Sequence, residues 1–240
     1  MRHHRLIIGA LLALTGGCAA PQEPPRRAGV TVSVEEEEAW RSAAAAEDEG
    51  AIDALPQVWR DALADARRAG FARRITAEGA LLAPAGGLPR AAPPPGAYLC
   101  RVLRLGARQP GIRAWSESGQ SFCFVGAEPD QLSLTLELGT RRIGGYLWEE
   151  KDNRRLVFLG ATVPRAMPLA PYGADRTLDT AGLFERVGPF RYRLSFPWRG
   201  DNKLVIVELV PAPAQARSPG EAPAADRPQP PRARMKPPPA

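Results

Sequence analysis

The chain has 240 residues and a formal net charge of +6, and its only two histidines are His3 and His4. A chain that loses its N-terminal leader therefore has no histidine, which excludes histidine-dependent nucleophiles, histidine general bases and histidine-containing metal sites. Nearly all the basic residues are arginines, and no basic cluster is interleaved with aromatic residues, so the charge does not indicate nucleic-acid binding. We expect no enzyme activity, no catalytic residue, no metal and no cofactor.

The N-terminal segment predicts export and attachment to a membrane. Arg2 and Arg5 precede an apolar run, Leu6 to Leu14, that suits a secretory signal and is too short to span a bilayer. The sequence LTGGC at 14–18 resembles a bacterial lipobox, which implies cleavage after residue 17 and acylation of Cys18. Several acyl chains hold a protein durably at a membrane, whereas a single chain holds it only marginally.

The residue after the cysteine bears on the final location. It is Ala19 rather than Asp, which favours a periplasm-facing lipoprotein of the outer membrane. An ordinary cleaved signal peptide is the alternative and would leave a soluble periplasmic or secreted protein. We therefore expect a signal peptide at 1–17 and a lipidated, flexible tether at 18–34, which is rich in proline, arginine and small residues.

Once Cys18 is acylated, Cys100 and Cys123 are the remaining cysteines. Two cysteines cannot by themselves supply a tetrahedral zinc site. In an oxidising periplasm we expect a disulfide between them, and two separate buried thiols are the alternative. The closed loop would stabilise the fold by about 3 kcal/mol on the chain-entropy model.

Residues 35–95 predict a helical segment that packs on the domain after it. An apolar stripe recurs at steps of three and four residues, formed by Leu55, Val58, Trp59, Ala62, Leu63, Ala66 and Ala69. Asp53 is a plausible N-cap for this helix and Gly70 a plausible stop, and a shorter helix is expected from Ile75 to Leu82.

From Gly96 the hydrophobic period changes to two, which predicts an antiparallel β domain over residues 96–210. A Gly144-Gly145 pair inside one strand suggests a bulge or a sharp bend. The fold class is mainly β, a small antiparallel barrel or sandwich of about seven or eight strands preceded by an amphipathic helix, so α+β overall. The predicted strands are 98–105, 121–125, 131–138, 141–148, 154–163, 190–198 and 203–210.

Residues 211–240 form a proline- and alanine-rich tail. Ten of these thirty residues are proline, and the segment has too few apolar residues to form a packed core. We expect this tail, like the tether, to be disordered.

Several ordered blocks resemble one protein family. They are PPPGAYLCRVLRLG, FCF, LGTRRIGGYLWEEKDNRRLVFLGA, ERVGPFRYRLSFPW and LVIVELVP, and with the tryptophan-bearing helix they extend from about Trp40 to Pro211. Together they resemble the domain of unknown function 4893 family of exported alphaproteobacterial proteins. The resemblance implies an exported β-rich domain with paired cysteines and brings no activity. Where the family has a Gly-Ser-Gln-Arg-like stretch, this chain has Gly139, Thr140, Arg141 and Arg142.

Two arginines and three aromatic residues are candidates for contact with a ligand or partner. Arg141 and Arg142 follow a turn, and two guanidinium groups suit a carboxylate or a phosphate. Alternatively, because strand neighbours point to opposite faces, one of them meets solvent or pairs with Glu137. Trp148, Tyr172 and Trp198 would line a barrel mouth, or else fill the core and cross-strand positions.

Two acidic residues between the strands are further candidates. Asp175 and Asp179, in the loop YGADRTLD, suit acid chemistry or a hard cation, although two carboxylates are too few for a full calcium shell.

Three functions remain compatible with these patterns. The first is an exported lipoprotein with a non-catalytic β domain, an envelope binding or assembly factor held to the membrane by its acyl chains. The alternatives are a lipocalin-like carrier of a small apolar ligand and, by analogy of fold alone, a protease-inhibitor-like barrel. The expected partners are the membrane and either another envelope protein or a small apolar ligand, and not nucleic acid.

Overall fold

The computed structural model describes residues 39–213. The predicted signal peptide, the lipidation site Cys18, the tether and the tail beyond residue 213 lie outside the described residues. No helix within the described range is long and apolar enough to cross a bilayer.

Four α-helices and one 3₁₀ helix precede the strands. They are α1 Ala39–Ala43, α2 Ala46–Asp53, α3 Leu55–Arg68, α4 Ala72–Glu78 and the 3₁₀ helix Gly79–Leu82. The strands are β1 Gly96–Ala107, β2 Trp115–Glu117, β3 Ser121–Ala127, β4 Leu132–Leu138, β5 Arg141–Glu149, β6 Arg155–Pro164, β7 Asp179–Gly188, β8 Arg191–Pro197 and β9 Asn202–Pro211.

Helix α3 carries the predicted apolar stripe, with Trp59, Ala62 and Ala66 among its buried residues. The prediction of its N-cap was wrong. Asp53 is the last residue of α2, and Ala54, in helical conformation, is the N-cap of α3, so the two helices follow each other almost without a break. Gly70 does lie just beyond the helix end, where its φ of 88° is in the left-handed region that glycine tolerates.

The strands form a closed barrel rather than a sandwich. Neighbouring strands pair antiparallel in the order β1-β3-β4-β5-β6-β7-β8-β9, and β9 pairs with β1 to close the cylinder. The short strand β2 pairs with the second half of β1, beside the stretch that pairs with β3. The predicted mainly β class and strand number are confirmed, and the choice left open between barrel and sandwich is decided.

The barrel interior is filled by side chains. Inward-facing residues of every barrel strand form one buried cluster, the barrel core, which includes Phe158, Phe184, Tyr192 and Phe196. An eight-stranded barrel is just wide enough for side chains to fill it. The predicted disulfide between Cys100 and Cys123 is confirmed and lies within this core, with a Cα–Cα distance of 5.9 Å.

The glycine pair in β5 does not form a bulge. The pairing of β5 with β4 and β6 runs without a register shift through Gly144 and Gly145. A Cβ on Gly145 would lie 2.4 Å from the Cα of Gly160 on β6, and a Cβ on Gly144 would meet the side chain of Leu169. The glycines are therefore required by close approach of neighbouring groups, not by an inserted residue.

The helices pack on the outside of the barrel and form a second cluster, the helix-side core. Trp59 and Leu63 of α3 meet outward-facing residues of the strands, such as Leu103 of β1 and Ile206 of β9. Strands β6 and β7 also contribute outward-facing residues, so both of their faces are buried.

Arg193 of β8 joins the helical segment to the barrel. Its side chain is 0 % exposed, and its Nε donates to Glu185 Oε2 at 2.8 Å. Its remaining nitrogens donate to the carbonyl oxygens of Leu81, Ala83 and Pro84 at 3.0, 2.6 and 3.0 Å. The guanidinium carbon lies 4.9 Å from the Trp59 ring centroid. One buried cation thus satisfies the carbonyls at the end of the helical segment.

We expect Arg193→Met to lower the free energy of unfolding by about 3–5 kcal/mol, because it leaves the largely buried Glu185 carboxylate and the carbonyls of Leu81, Ala83 and Pro84 without their donor. Urea denaturation followed by tryptophan fluorescence measures this loss. Arg191→Met is the matched control, since Arg191 lies two residues away and pairs with Glu208 at a more exposed position. A loss at Arg193 no larger than the loss at Arg191 would contradict the anchoring role.

Candidate functional site

A cavity of about 290 Å³ opens at the end of the barrel where β8 turns into β9. We call it the mouth cavity. Three arginines, two aspartates and two aromatic residues are among its lining residues, which are Asp48, Ala51, Arg108, Arg141, Thr162, Thr177, Leu178, Asp179, Thr180, Ala181, Phe196, Pro197, Trp198, Arg199 and Gly200.

Arg141 and Trp198 are brought together by two tight turns. Leu138 pairs with Arg141 across the two-residue turn Gly139-Thr140, and the φ of Gly139 is 65°, as a type II′ hairpin requires at its first position. Trp198 begins the β8–β9 turn, which its amide closes by donating to Lys203 O at 2.9 Å. The Arg141 guanidinium carbon lies 6.0 Å from the Trp198 ring centroid, within cation–π range.

The charge of Arg141 is not neutralised by a neighbour. Its side chain is exposed, and within residues 39–213 it has no carboxylate at ion-pair distance. The guanidinium is therefore available to a ligand while the indole of Trp198 lies beside it.

Arg108 supplies a second cation, which has no carboxylate partner among the residues that the structure describes. Its Nε donates to Asn202 O at 3.1 Å and its Nη2 to Trp198 O at 2.6 Å. These carbonyls fix the guanidinium in place without carrying a formal charge. Arg108 therefore holds the β8–β9 turn and adds positive potential to the mouth cavity.

Arg199 differs, because acids of α2 face it. Its Nη2 lies 3.6 Å from Asp48 Oδ1 and 3.8 Å from Glu47 Oε1. The other Asp48 oxygen accepts a 2.5 Å hydrogen bond from the Tyr172 hydroxyl, which itself accepts one from the Ala45 amide at 2.9 Å. Burial raises the pKa of Tyr172, and its hydrogen bond to Asp48 adds to the shift.

Asp179 is likewise held by neighbours. Its side chain is 1 % exposed and accepts from the Gly173 amide at 2.9 Å and from Arg176 Nη1 at 3.1 Å. Asp175 lies in solvent, and the hydroxyl and amide of Thr177 lower the pKa of its carboxyl. The two candidate aspartates for acid or cation chemistry thus have separate hydrogen-bond partners, and Asp175 is exposed whereas Asp179 is buried.

The five predicted contact residues separate in the structure. Arg141 and Trp198 line the mouth cavity, and Tyr172 supports its wall through Asp48. Arg142 points to the opposite face of β5, where it donates to Arg165 O at 3.2 Å, while Glu137 pairs with Arg165. Trp148 packs against the helix-side core.

Three charged residues of the cavity, Asp48, Arg108 and Arg199, were not predicted. Arg108 and Arg199 lie in turns of a chain rich in arginine, so composition gives them no distinguishing signal. Asp48 lies on α2, more than a hundred residues before its partner Tyr172, and only the folded chain brings them together. A local sequence pattern cannot reveal such a pair.

Comparison with known proteins gives one match. A family model described as a domain of unknown function, DUF4893, matches residues 40–209, which span the helices and nearly all of the barrel. No curated protein and no solved structure matches the chain.

We expect Tyr172→Phe to destabilise the chain by about 1–3 kcal/mol, because it removes the donor to Asp48 and the acceptor of the Ala45 amide. The pKa of Tyr172 is raised on folding, so its protonated hydroxyl stabilises the folded state. This stabilisation is fully present below about pH 10 and is lost as the pH rises through the pKa of the folded state. Chemical denaturation at pH 8 and above pH 10 measures both effects. Tyr146→Phe, at an exposed position, is the control and should change stability by less than about 0.5 kcal/mol; an equal loss there would contradict the assignment.

Proposed function

The chain belongs to the DUF4893 family, and we propose that it is a non-catalytic binding protein of the cell envelope whose barrel mouth binds an anionic ligand. In this proposal Cys18 carries the acyl chains that hold the protein at the outer membrane, facing the periplasm. The barrel is the binding domain, and the ligand is a carboxylate or phosphate attached to a flat, apolar group.

The observation that carries this proposal is the unpaired Arg141 beside Trp198 in the mouth cavity. A guanidinium binds a carboxylate or phosphate through two parallel charge-assisted hydrogen bonds. Arg108, whose partners in the described part of the chain are carbonyl oxygens, adds a second positive charge to the cavity. The Trp198 indole offers an apolar surface next to the cations.

The geometry favours binding over catalysis. Both cavity aspartates already accept hydrogen bonds and face an arginine, Asp48 from Tyr172 and Asp179 from Gly173 and Arg176. A general acid or base needs a free proton-transfer group within reach of the substrate. Residues 18–240 also contain no histidine.

The filled interior weighs against the lipocalin-like alternative. A carrier of that type holds an apolar molecule inside the barrel, where this chain has buried phenylalanine, tyrosine and leucine side chains. The mouth cavity lies at the barrel end instead and is rich in charged residues. An anion fits that lining better than an apolar ligand does.

We expect benzoate to bind the full chain and to shift the indole NMR resonance of Trp198, assigned with Trp198→Phe. Arg141→Gln should weaken binding at least about tenfold, a loss of about 1.4 kcal/mol or more, because it removes the two charge-assisted hydrogen bonds of the guanidinium. Arg142→Gln is the matched control and should leave the affinity within about twofold, because its side chain points to the other face of β5.

Two further probes sharpen this test. Benzamidine has the shape of benzoate with the opposite charge, and inorganic phosphate carries the charge without the ring. Phosphate binding weaker than benzoate binding, with none for benzamidine, is the expected order. Binding of benzamidine equal to that of benzoate, or equal losses from Arg141→Gln and Arg142→Gln, would overturn the anion site.

The proposed attachment to the membrane through Cys18 has a separate test. We expect mass spectrometry of protein purified from a membrane fraction to show Cys18 as the N-terminal residue, carrying fatty acids on its sulfur and amino group. Cys18→Ala should move the protein out of the membrane fraction. An intact Met1 without fatty acid would overturn the lipoprotein assignment and leave the ligand experiment unaffected.

A further inference from the structure

One side of the barrel wall exposes large apolar side chains. On β3, Phe122 and Phe124 point outward, 44 % and 54 % exposed, because they alternate with the inward-facing Cys123 and Val125. Tyr146 of β5 and Leu169 of the β6–β7 loop are exposed as well. We call Phe122, Phe124, Tyr146 and Leu169 the aromatic face. No buried member of the helix-side core comes from β3 or β4, so the described helices leave this wall uncovered.

A groove of about 370 Å³ crosses the aromatic face. Phe122, Phe124 and Leu169 line it, with Glu137 and Arg142 also in its wall. Neighbouring half-exposed phenylalanines are unusual on the surface of a monomer, and covering them is favoured by the hydrophobic effect. The groove thus has the size and the aromatic lining of a peptide-binding surface.

The chain leaves the barrel beside this groove. The Ala212 amide donates to Ala97 O at 3.0 Å, and Ala97 pairs with Phe124 on its other side. Across the next strands, Phe124 pairs with Thr135 of β4, and Thr135 pairs with Gly144 of β5. Strands lie about 4.8 Å apart, so the backbone of Ala212 is only about 10 Å from that of Phe124.

The segment that follows has the chemistry to fill the groove. Residues 214–240 contain eight prolines and five basic residues against two acids, Glu221 and Asp226. The barrel residues 114–140, which include β2, β3 and β4, contain four acids and no lysine or arginine. Glu117 and Glu137 already pair with arginines, and Arg142 also lines the groove. Glu128 and Asp130 of the β3–β4 turn have no basic partner among the described residues, so it is their charge that complements the basic segment. Proline-rich segments bind aromatic grooves because they lose little conformational entropy on docking.

We propose that residues 214–240 dock on the aromatic face of their own barrel, with proline rings against Phe122 and Phe124. At about 3.1 Å per residue in an extended proline-rich conformation, fewer than about ten residues reach from Ala212 across to Leu169. The short connection gives an effective concentration in the millimolar range. Docking with a Kd of only about 0.1 mM would then cover the face in about nine molecules of ten.

Photo-crosslinking in the full chain tests this docking. A benzophenone amino acid is placed at position 124 and, in a separate sample, at position 190. Phe190 is the matched control because it is 64 % exposed and precedes β8, whose Tyr192 pairs with Leu209 near the same exit. A tail that merely sweeps the surface reaches both positions equally. Docking predicts about tenfold more crosslinks from position 124 to peptides of residues 214–240.

A mixture of ¹⁴N- and ¹⁵N-labelled protein separates crosslinks within one molecule from crosslinks between copies. Crosslinks within one molecule, enriched at position 124, support the proposal. Equal yields from positions 124 and 190 would overturn it, and so would crosslinks that form only between copies, since the aromatic face would then bind a second chain. Circular dichroism of each labelled protein checks that the barrel is intact.

Discussion

The buried guanidinium of Arg193 is the interaction on which the rest of the structure depends. It donates at once to Glu185 and to the last carbonyls of the helical segment, and it lies against Trp59 of α3. Loss of this donor would cost free energy, most of all at the buried Leu81 carbonyl, so the contact with Arg193 favours this position of the segment on the barrel. That position covers strands β6, β7 and β9 and leaves β3 and β4 exposed.

The fold could be predicted where one face of a strand meets solvent. In β4, Leu134, Leu136 and Leu138 alternate with more polar residues, and the expected strand is present. Strand β7 could not be predicted in the same way, because helices cover its outer face and its burial shows no clean alternation. Arg193 gave no signal either: an arginine in an alternating strand predicts a solvent-facing side chain, and only docking of the helices buries it.

The candidate site was predictable only in part, for a related reason. Arg141 and Trp198 adjoin turns, and turn chemistry is encoded locally in residues such as Gly139. The wall opposite them comes from α2, whose Asp48 reaches Tyr172 only after the helical segment has docked. Contacts of this kind depend on long-range packing, which a single sequence does not reveal. Docking of the helical segment thus sets the charge balance of the mouth cavity, because it brings Asp48 to face Arg199 and places no described carboxylate at ion-pair distance from Arg141.

The adjacent residues Arg141 and Arg142 show how one strand serves two surfaces. Because successive side chains of a strand point to opposite faces, Arg141 lines the mouth cavity and Arg142 lines the groove of the aromatic face. The two surfaces share the β4–β5 hairpin but no lining residue, so a ligand at one surface need not exclude a segment at the other. Their separation also follows from the filled interior, because a packed barrel core leaves only the end and the outer wall for binding. The strand period and the packed interior together therefore keep the mouth cavity and the aromatic face apart as two separate surfaces of one domain.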